Sequence, residues 1–486
     1  MSSTAGSEEQ VWEVAPDSGQ MPLLLRHKKE LGLLLGVVVA ILVAIFLPMP
    51  DSHARYTFAI IIWGVICLIF GSLPDYVISL MIIFIPIVLR ISPPEVALKA
   101  TVQFVWWMFI VGFIIGVAFN KSGLAKRISL YCAATMIKGW YSALLAIFMM
   151  NVVLNVIAPF TTIAGIAITV SIATALARGF GYEPGTKVFN GLAIAAVASN
   201  LAAGELIYTG WLLNPLLVNL LARYFPLDFY SWFKYITPPA ALWLVISYAV
   251  VAILFKPDNV IAVDRAALKA RFKEVGKWTS GEMKTLTLTL LILVFFIAQP
   301  FLHGLQPGWI AVLISVLFFA PYIGPLEPRE FGALNWTFVF FILGMFSIGD
   351  QLVYHQVNVQ LAAWVMPGNI QAWNLILASM CCAVILVLMH FAVATMIPLI
   401  ACFVPAFCQF SVAHHMAIIP LFGVVLFSAK RWVLPFQEAM VVMAQGMTRD
   451  ELSSSALIRV GIVMSIFLVV VQIPLSTLYW LAIKAP

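Results

Sequence analysis

Charge is what this chain has least of. Asp, Glu, Lys and Arg together make up 10% of its 486 residues, against about 25% in a soluble domain, which excludes a water-soluble globule. Histidine and cysteine are scarce as well. The seven histidines follow no ligand spacing, and the six cysteines (Cys67, Cys132, Cys381, Cys382, Cys402 and Cys408) sit inside apolar stretches with no disulfide or metal pattern. A membrane-embedded enzyme would need a His/Asp/Glu set gathered at one membrane face. The sequence offers none, so no catalytic residue and no metal ligand is assigned. No Walker-type phosphate loop occurs, which disfavours pumping driven directly by ATP. Met1–Pro22 is polar and carries Glu8, Glu9, Glu13 and Asp17. It lacks the basic start and apolar core of a signal peptide and reads as a disordered tail. The net charge of +6 is spread over short loops, so nucleic acid is not an expected partner.

What the chain has instead is hydrocarbon. Hydrophobic residues make up 63% of it, in runs such as Leu31–Leu47, Phe58–Ser72, Val77–Leu89, Val105–Ala118 and Val460–Leu481. At about 20 residues per crossing, these predict an all-α polytopic membrane protein with about 11 transmembrane helices. Segments too short or too polar to cross predict two re-entrant hairpins, which survive only inside protein or beside water. Arg26, Lys28 and Lys29 precede the first span, and the one long polar loop, Lys256–Lys284, has seven Lys/Arg against four Asp/Glu. The bias of Lys/Arg toward the cytoplasm places both inside, with about six crossings between them, in a multi-pass protein of the cytoplasmic (inner) membrane.

The basic loop divides the chain. Residues 1–29 read as a cytoplasmic N-terminal tail, 30–255 as a first helix plus a first repeat, 256–284 as a cytoplasmic loop, and 285–486 as a second, inverted repeat. Each half has a Trp-bearing segment (Phe104-Val105-Trp106-Trp107; Leu334-Asn335-Trp336), then a glycine-containing span (Gly112, Gly116; Gly344, Gly349). A polar-interrupted segment follows in each (Pro159–Gly165; His390–Pro398). Last comes a broken stretch: Asn200–Asn214 (NLAAGELIYTGWLLN) in the first half and Ser428–Glu438 (SAKRWVLPFQE) in the second. Ionisable residues at membrane depth are costly and usually face a cavity or ion path. Interrupted segments at corresponding places in two halves point to a transporter binding site.

Several patches resemble the divalent anion:sodium symporter family, whose members carry di- and tricarboxylates or sulfate. They are Trp106–Leu130, with SGLAKRI at 122–128, Gly281–Gly304, and Thr209-Gly210-Trp211-Leu212-Leu213-Asn214. The last is similar to a Gly-Thr-Pro-Pro-Asn motif through Gly210 and Asn214. The resemblance implies sodium as a possible coupling ion, a small anionic substrate, a homodimer in the bilayer, and a domain carrying both half-sites that moves against a scaffold. It also implies contacts to substrate at the two hairpin tips, where Thr161, Thr162, His390 and Thr395 fall, and at the broken stretches, where Thr209, Gly210, Asn214, Arg431 and Gln437 fall. Family members carry Ser-Asn-Thr at each tip. Here Pro159-Phe160-Thr161 and Leu388-Met389-His390 stand instead, and Val433-Leu434-Pro435-Phe436-Gln437 replaces the second proline-rich motif. With Asn absent from both tips, at least one sodium site is expected to be weakened.

Lys430 and Arg431 could replace that charge, a guanidinium offering carboxylate or sulfate a planar, bidentate contact. The alternative is that both lie in a loop or snorkel to the headgroups. Glu205 could pair with either cation, carry a coupling proton, or serve only as a structural carboxyl. Glu438 admits the same readings. His390 could bind anion, relay a proton, or pack. Asn200, with Ser199, could offer oxygens to a cation or cap a half-helix. Asp350 is expected to cap a helix at the surface, and Trp106, Trp107, Trp211, Trp336 and Trp432 to anchor at the interface. The sequence thus reads as a secondary transporter of a small dianion, cation-coupled or exchanging. A related ion transporter moving oxyanions or protons is the alternative, and a membrane-embedded enzyme the remote one.

Overall fold

The computed structural model describes residues 27–49, 51–158, 162–211, 213–259, 263–298, 301, 304–357, 359–360, 374–392, 396–448 and 451–486. Among them every regular element is a helix, and nine helices are long and apolar enough to cross a membrane. The first half contains α1 (Lys28–Phe46), α2 (Ser52–Phe70), α3 (Asp75–Val88), α4 (Phe104–Ser122), α5 (Leu124–Met136), α6 (Trp140–Ile157), α7 (Thr162–Gly179), α8 (Lys187–Leu206), α9 (Asn214–Leu221), α10 (Phe229–Tyr235) and α11 (Thr237–Leu254). After α12 (Arg265–Glu274) come α13 (Ser280–Ile297), α14 (Pro307–Leu317), α15 (Trp336–Tyr354), α16 (Leu375–Ala392), α17 (Met396–Ala413), α18 (Ile418–Ser428), α19 (Ala439–Met447), α20 (Ser454–Phe467) and α21 (Ile473–Ala482). A π-helical segment, Leu468–Gln472, joins α20 to α21.

Burial sorts these helices into a rim and a centre. Helix α1 leaves Leu34, Ile41, Ile45 and Phe46 exposed, as a helix facing lipid would. Helix α8 is the opposite: every residue from Val188 to Glu205 is buried. Its alanines and glycines make this possible, because small side chains let α6, α7 and α11 pack closely around it. Gly191, for example, has Trp140 and Phe255 where a Cβ would stand, at 2.7 and 2.6 Å.

Charged and polar contacts gather at the two ends of the bundle. One end holds the ion pairs Lys121–Glu330 (2.5 Å), Lys187–Asp258 (2.9 Å) and Arg178–Glu451 (2.5 Å). The other holds Arg223–Asp350 (2.5 Å), Ser92 Oγ to His355 Nε2 (2.9 Å), and Trp480 Nε1 donating to the Tyr235 carbonyl (2.6 Å). Asp350 is therefore not a surface cap. It is 5% exposed inside α15, and Arg223, just beyond α9, supplies the counter-charge a buried carboxylate requires.

At the first of these ends, Arg127 of the SGLAKRI stretch holds Glu282 by two bonds, Nε to Oε1 at 2.7 Å and Nη2 to Oε2 at 3.0 Å. Its remaining donors reach the carbonyls of Gly276 (2.9 Å) and Lys277 (2.8 Å), and its guanidinium lies over Trp278. Glu282 also closes a capping box with Thr279 at the start of α13. One arginine thus fastens α5 to the end of the basic loop.

Candidate functional site

Both broken stretches are interrupted helices. Helix α8 stops at Leu206, a 3₁₀ turn runs Tyr208–Gly210, and α9 restarts at Asn214 with Pro215 in its first turn. Helix α18 stops at Ser428, a second 3₁₀ turn runs Pro435–Gln437, and α19 restarts at Ala439. Without water, the backbone groups freed by each break need protein partners. Asn214 serves the first break: its Nδ2 donates to the carbonyls of Gly204 (3.0 Å), Ile207 (3.2 Å) and Tyr208 (3.1 Å). Gln437 serves the second: its Oε1 accepts from Val433 N (2.7 Å) and Leu434 N (2.8 Å), while Nε2 donates to the His390 carbonyl (3.0 Å). Gly210 permits the tight return of the first break, because a Cβ there would lie 2.8 Å from Ile207 and 3.0 Å from the Gly204 carbonyl.

The two breaks meet through charge. Arg431 Nη2 donates to Glu205 Oε1 at 3.0 Å and lies 3.4 Å from Oε2; Lys430 Nζ lies 3.4 Å from the same Oε1. Glu205 and Lys430 are fully buried and Arg431 is 4% exposed. Tryptophans face both cations: the Trp211 ring centre is 3.3 Å from Lys430 Nζ, and that of Trp243 is 4.1 Å from Arg431 Cζ. A desolvated contact of this kind is worth about 2 kcal/mol. Lys430 and Arg431 are therefore enclosed by protein in the turn after α18, not carried on an exposed surface loop. Trp211 and Trp432, each 1% exposed, are not interfacial anchors; Trp432 Nε1 donates to the Leu457 carbonyl instead. Trp232, in α10, holds the Glu205 carbonyl (3.0 Å).

The cations are held but not saturated. Arg431 Nε has no hydrogen-bond partner among the described residues, and no hydrogen bond of Lys430 Nζ meets normal geometry. Other buried polar atoms around the breaks also lack one: Thr209 Oγ1, Asn214 Oδ1, Ser428 Oγ, Glu438 Oε2 and both ring nitrogens of His390. Glu438 is fully buried and caps α19 through its Oε1, which accepts from Met440 N at 3.2 Å.

A second polar group surrounds Asn200. Its Nδ2 donates to Asn151 Oδ1 (3.1 Å) and to the Thr162 carbonyl (3.3 Å), leaving Oδ1 unpartnered. Asn151 Nδ2 holds Ser199 Oγ (2.7 Å) and the Ala196 carbonyl (3.1 Å), so Asn151 ties α6 to α8. Sequence reasoning passed over Asn151 and Trp243. An amide inside the apolar run MMNVVLNVI was the available signal for the first; nothing local marked the second. Thr161 and Thr395 lie outside the described residues.

Comparison with known proteins gives the family. The model of the family described as sodium:sulfate symporter transmembrane region matches residues 27–485. A protein of Bacillus subtilis (strain 168) named "Putative malate transporter YflS" is 25% identical over 279 residues, covering 55% of this chain and 58% of that protein's length. The resemblance read from SGLAKRI, Gly281–Gly304 and Thr209–Asn214 is thereby borne out, and the family is one of symporters rather than enzymes. This chain belongs to the sodium:sulfate symporter family of integral membrane proteins.

Proposed function

We propose that this protein is a secondary active transporter of a small dianion, a dicarboxylate or sulfate, working by alternating access and driven by a sodium gradient or by exchange. The observation that carries the reading is the meeting of two helix breaks, one from each half, in a buried cluster whose cations keep free donors. Binding a dianion for transport means replacing its hydration without caging it, and partial charges and unsaturated cations do this reversibly. In this reading Arg431, Lys430 and the Thr209 hydroxyl face the anion. Asn200 Oδ1 and Asn214 Oδ1, buried hard oxygens, suit sodium as co-substrate.

The architecture that fits has about 11 crossings and two re-entrant helix pairs, α6–α7 and α16–α17, with repeats at 30–255 and 285–486 in opposite orientation. Each half runs in the same order: helix pair, broken helix, full-length helix. The name of the Bacillus subtilis relative, "Putative malate transporter YflS", supports dicarboxylate as the first substrate to try. The family resemblance implies a homodimer, and the inner membrane is the setting assumed with the Lys/Arg bias.

The test is uptake of labelled malate and sulfate into proteoliposomes under an inward sodium gradient, and separately into vesicles preloaded with the same anion. Concentrative uptake in either arm is the expected result. No uptake and no exchange of either anion would overturn the reading.

A further inference from the structure

Four ionisable side chains meet around the breaks, and one of them is unaccounted for. Glu205 has Arg431 at both its oxygens and Lys430 beside Oε1, so each of its oxygens has a cationic partner. Glu438 is different. It is fully buried, and it is within electrostatic reach of Lys430 and Arg431. Yet among the described residues it forms no ion pair, and its Oε2 touches no donor. A buried carboxylate oxygen without a donor is one of the most costly charges a protein can hold, and a proton neutralises it.

We propose that Glu438 is a proton-binding site linked to the anion site: protonation at Oε2 strengthens dianion binding, and each anion is carried with a proton. The inference rests on the transport reading above. Its logic is charge balance. With Glu438 ionised, two cations face two carboxylates and the cluster is neutral toward an arriving anion. With a proton on Oε2, one positive charge is uncompensated and the dianion is attracted. Linkage makes the effect reciprocal, so a bound dianion retains the proton and its release frees it.

Lys430 and Arg431, from the segment before it, are the charged groups that act on Glu438; Glu205 of α8 pairs with those same cations, and His390 of α16 is tied by its carbonyl to the neighbouring Gln437. The other titratable side chains on helices packed against this turn lie at the surface. Arg178 pairs with Glu451, Lys187 with Asp258, and Arg459 is exposed. His390 is the rival proton carrier, since neither ring nitrogen has a partner.

The experiment uses the full-length protein in proteoliposomes with sodium equal on both sides and labelled sulfate, which stays a dianion across the range tested. Counterflow is measured beside uptake driven by an inside-alkaline pH gradient. For the wild-type protein, the gradient drives accumulation, and the KM for sulfate falls about fivefold or more from about pH 8 to about pH 6. In Glu438→Gln the ratio of gradient-driven uptake to counterflow falls to that seen without a gradient, and KM no longer follows pH. His390→Gln keeps the wild-type ratio. Counterflow that ignores pH in the wild-type protein overturns the proton link alone, as does gradient-driven uptake that survives Glu438→Gln or is lost in His390→Gln instead. Should Glu438→Gln aggregate, Glu438→Asp decides: a displaced midpoint of the KM–pH profile supports the link and an unmoved one overturns it. Absence of counterflow with sulfate and malate alike overturns the transport reading itself.

Discussion

Removing one charge from a buried pair strands the other, and the stranded charge, more than the lost attraction, sets the penalty. Glu205 faces two cations with almost no solvent around any of the three. Glu205→Gln should therefore cost about 3–5 kcal/mol, read as a lower thermal midpoint in detergent. Arg431→Gln should also destabilise, and the double variant should lose less than the sum, with a coupling of about 1–3 kcal/mol. Additive losses would mean that the contact does not exist in the protein. Each of these residues was visible in the sequence as a charge at the wrong depth. Their pairing was not, because it joins positions 226 residues apart and no local pattern encodes a partner. Asn214 and Gln437 were legible as amides at the breaks. Their bonds to freed backbone groups follow only once the chain path is known.

At the scale of elements, the Arg127 clasp shows how two patches that looked independent in the sequence become one feature. SGLAKRI lies on α5 and the GEMKTLT stretch opens α13, yet Arg127 bonds Glu282 and two carbonyls of the loop before it. Lysine has the charge but not the fork. Arg127→Lys should release the loop, exposing Lys273 and Lys277 to trypsin several-fold faster in the folded, detergent-solubilised protein. Equal cleavage rates would sink the clasp. The helices themselves were largely legible, since long apolar runs leave little choice. What escaped was the environment of single side chains. Asp350 stands at the end of an apolar run and looks like a cap, but neighbouring Arg223 and Lys99 come from distant elements.

For the whole molecule, the sidedness of the ion pairs makes a test of orientation. Lys29, Glu183 and Lys277 lie at one end of the bundle; Arg90 and Lys234 lie at the other, and all five are exposed. Reading the basic loop as cytoplasmic, single cysteines at Arg90 and Lys234 in a cysteine-free background should react with an impermeant maleimide in intact cells. Cysteines at the first three positions should react only after permeabilisation. The reverse pattern would invert the proposed topology, and a split among the first three would contradict the packing.

The balance of two cations against two carboxylates has one further consequence. A charge moved through the membrane field gains or loses about 2.3 kcal/mol per 100 mV. A cluster whose formal charges cancel moves through it at no such cost. In the proposed cycle the empty carrier, with Glu438 ionised, would therefore reorient at a rate indifferent to membrane potential. Voltage would act only on the loaded steps, through whatever charge the cargo brings, so the cell's electrical state would set how fast the protein delivers and leave its return untouched.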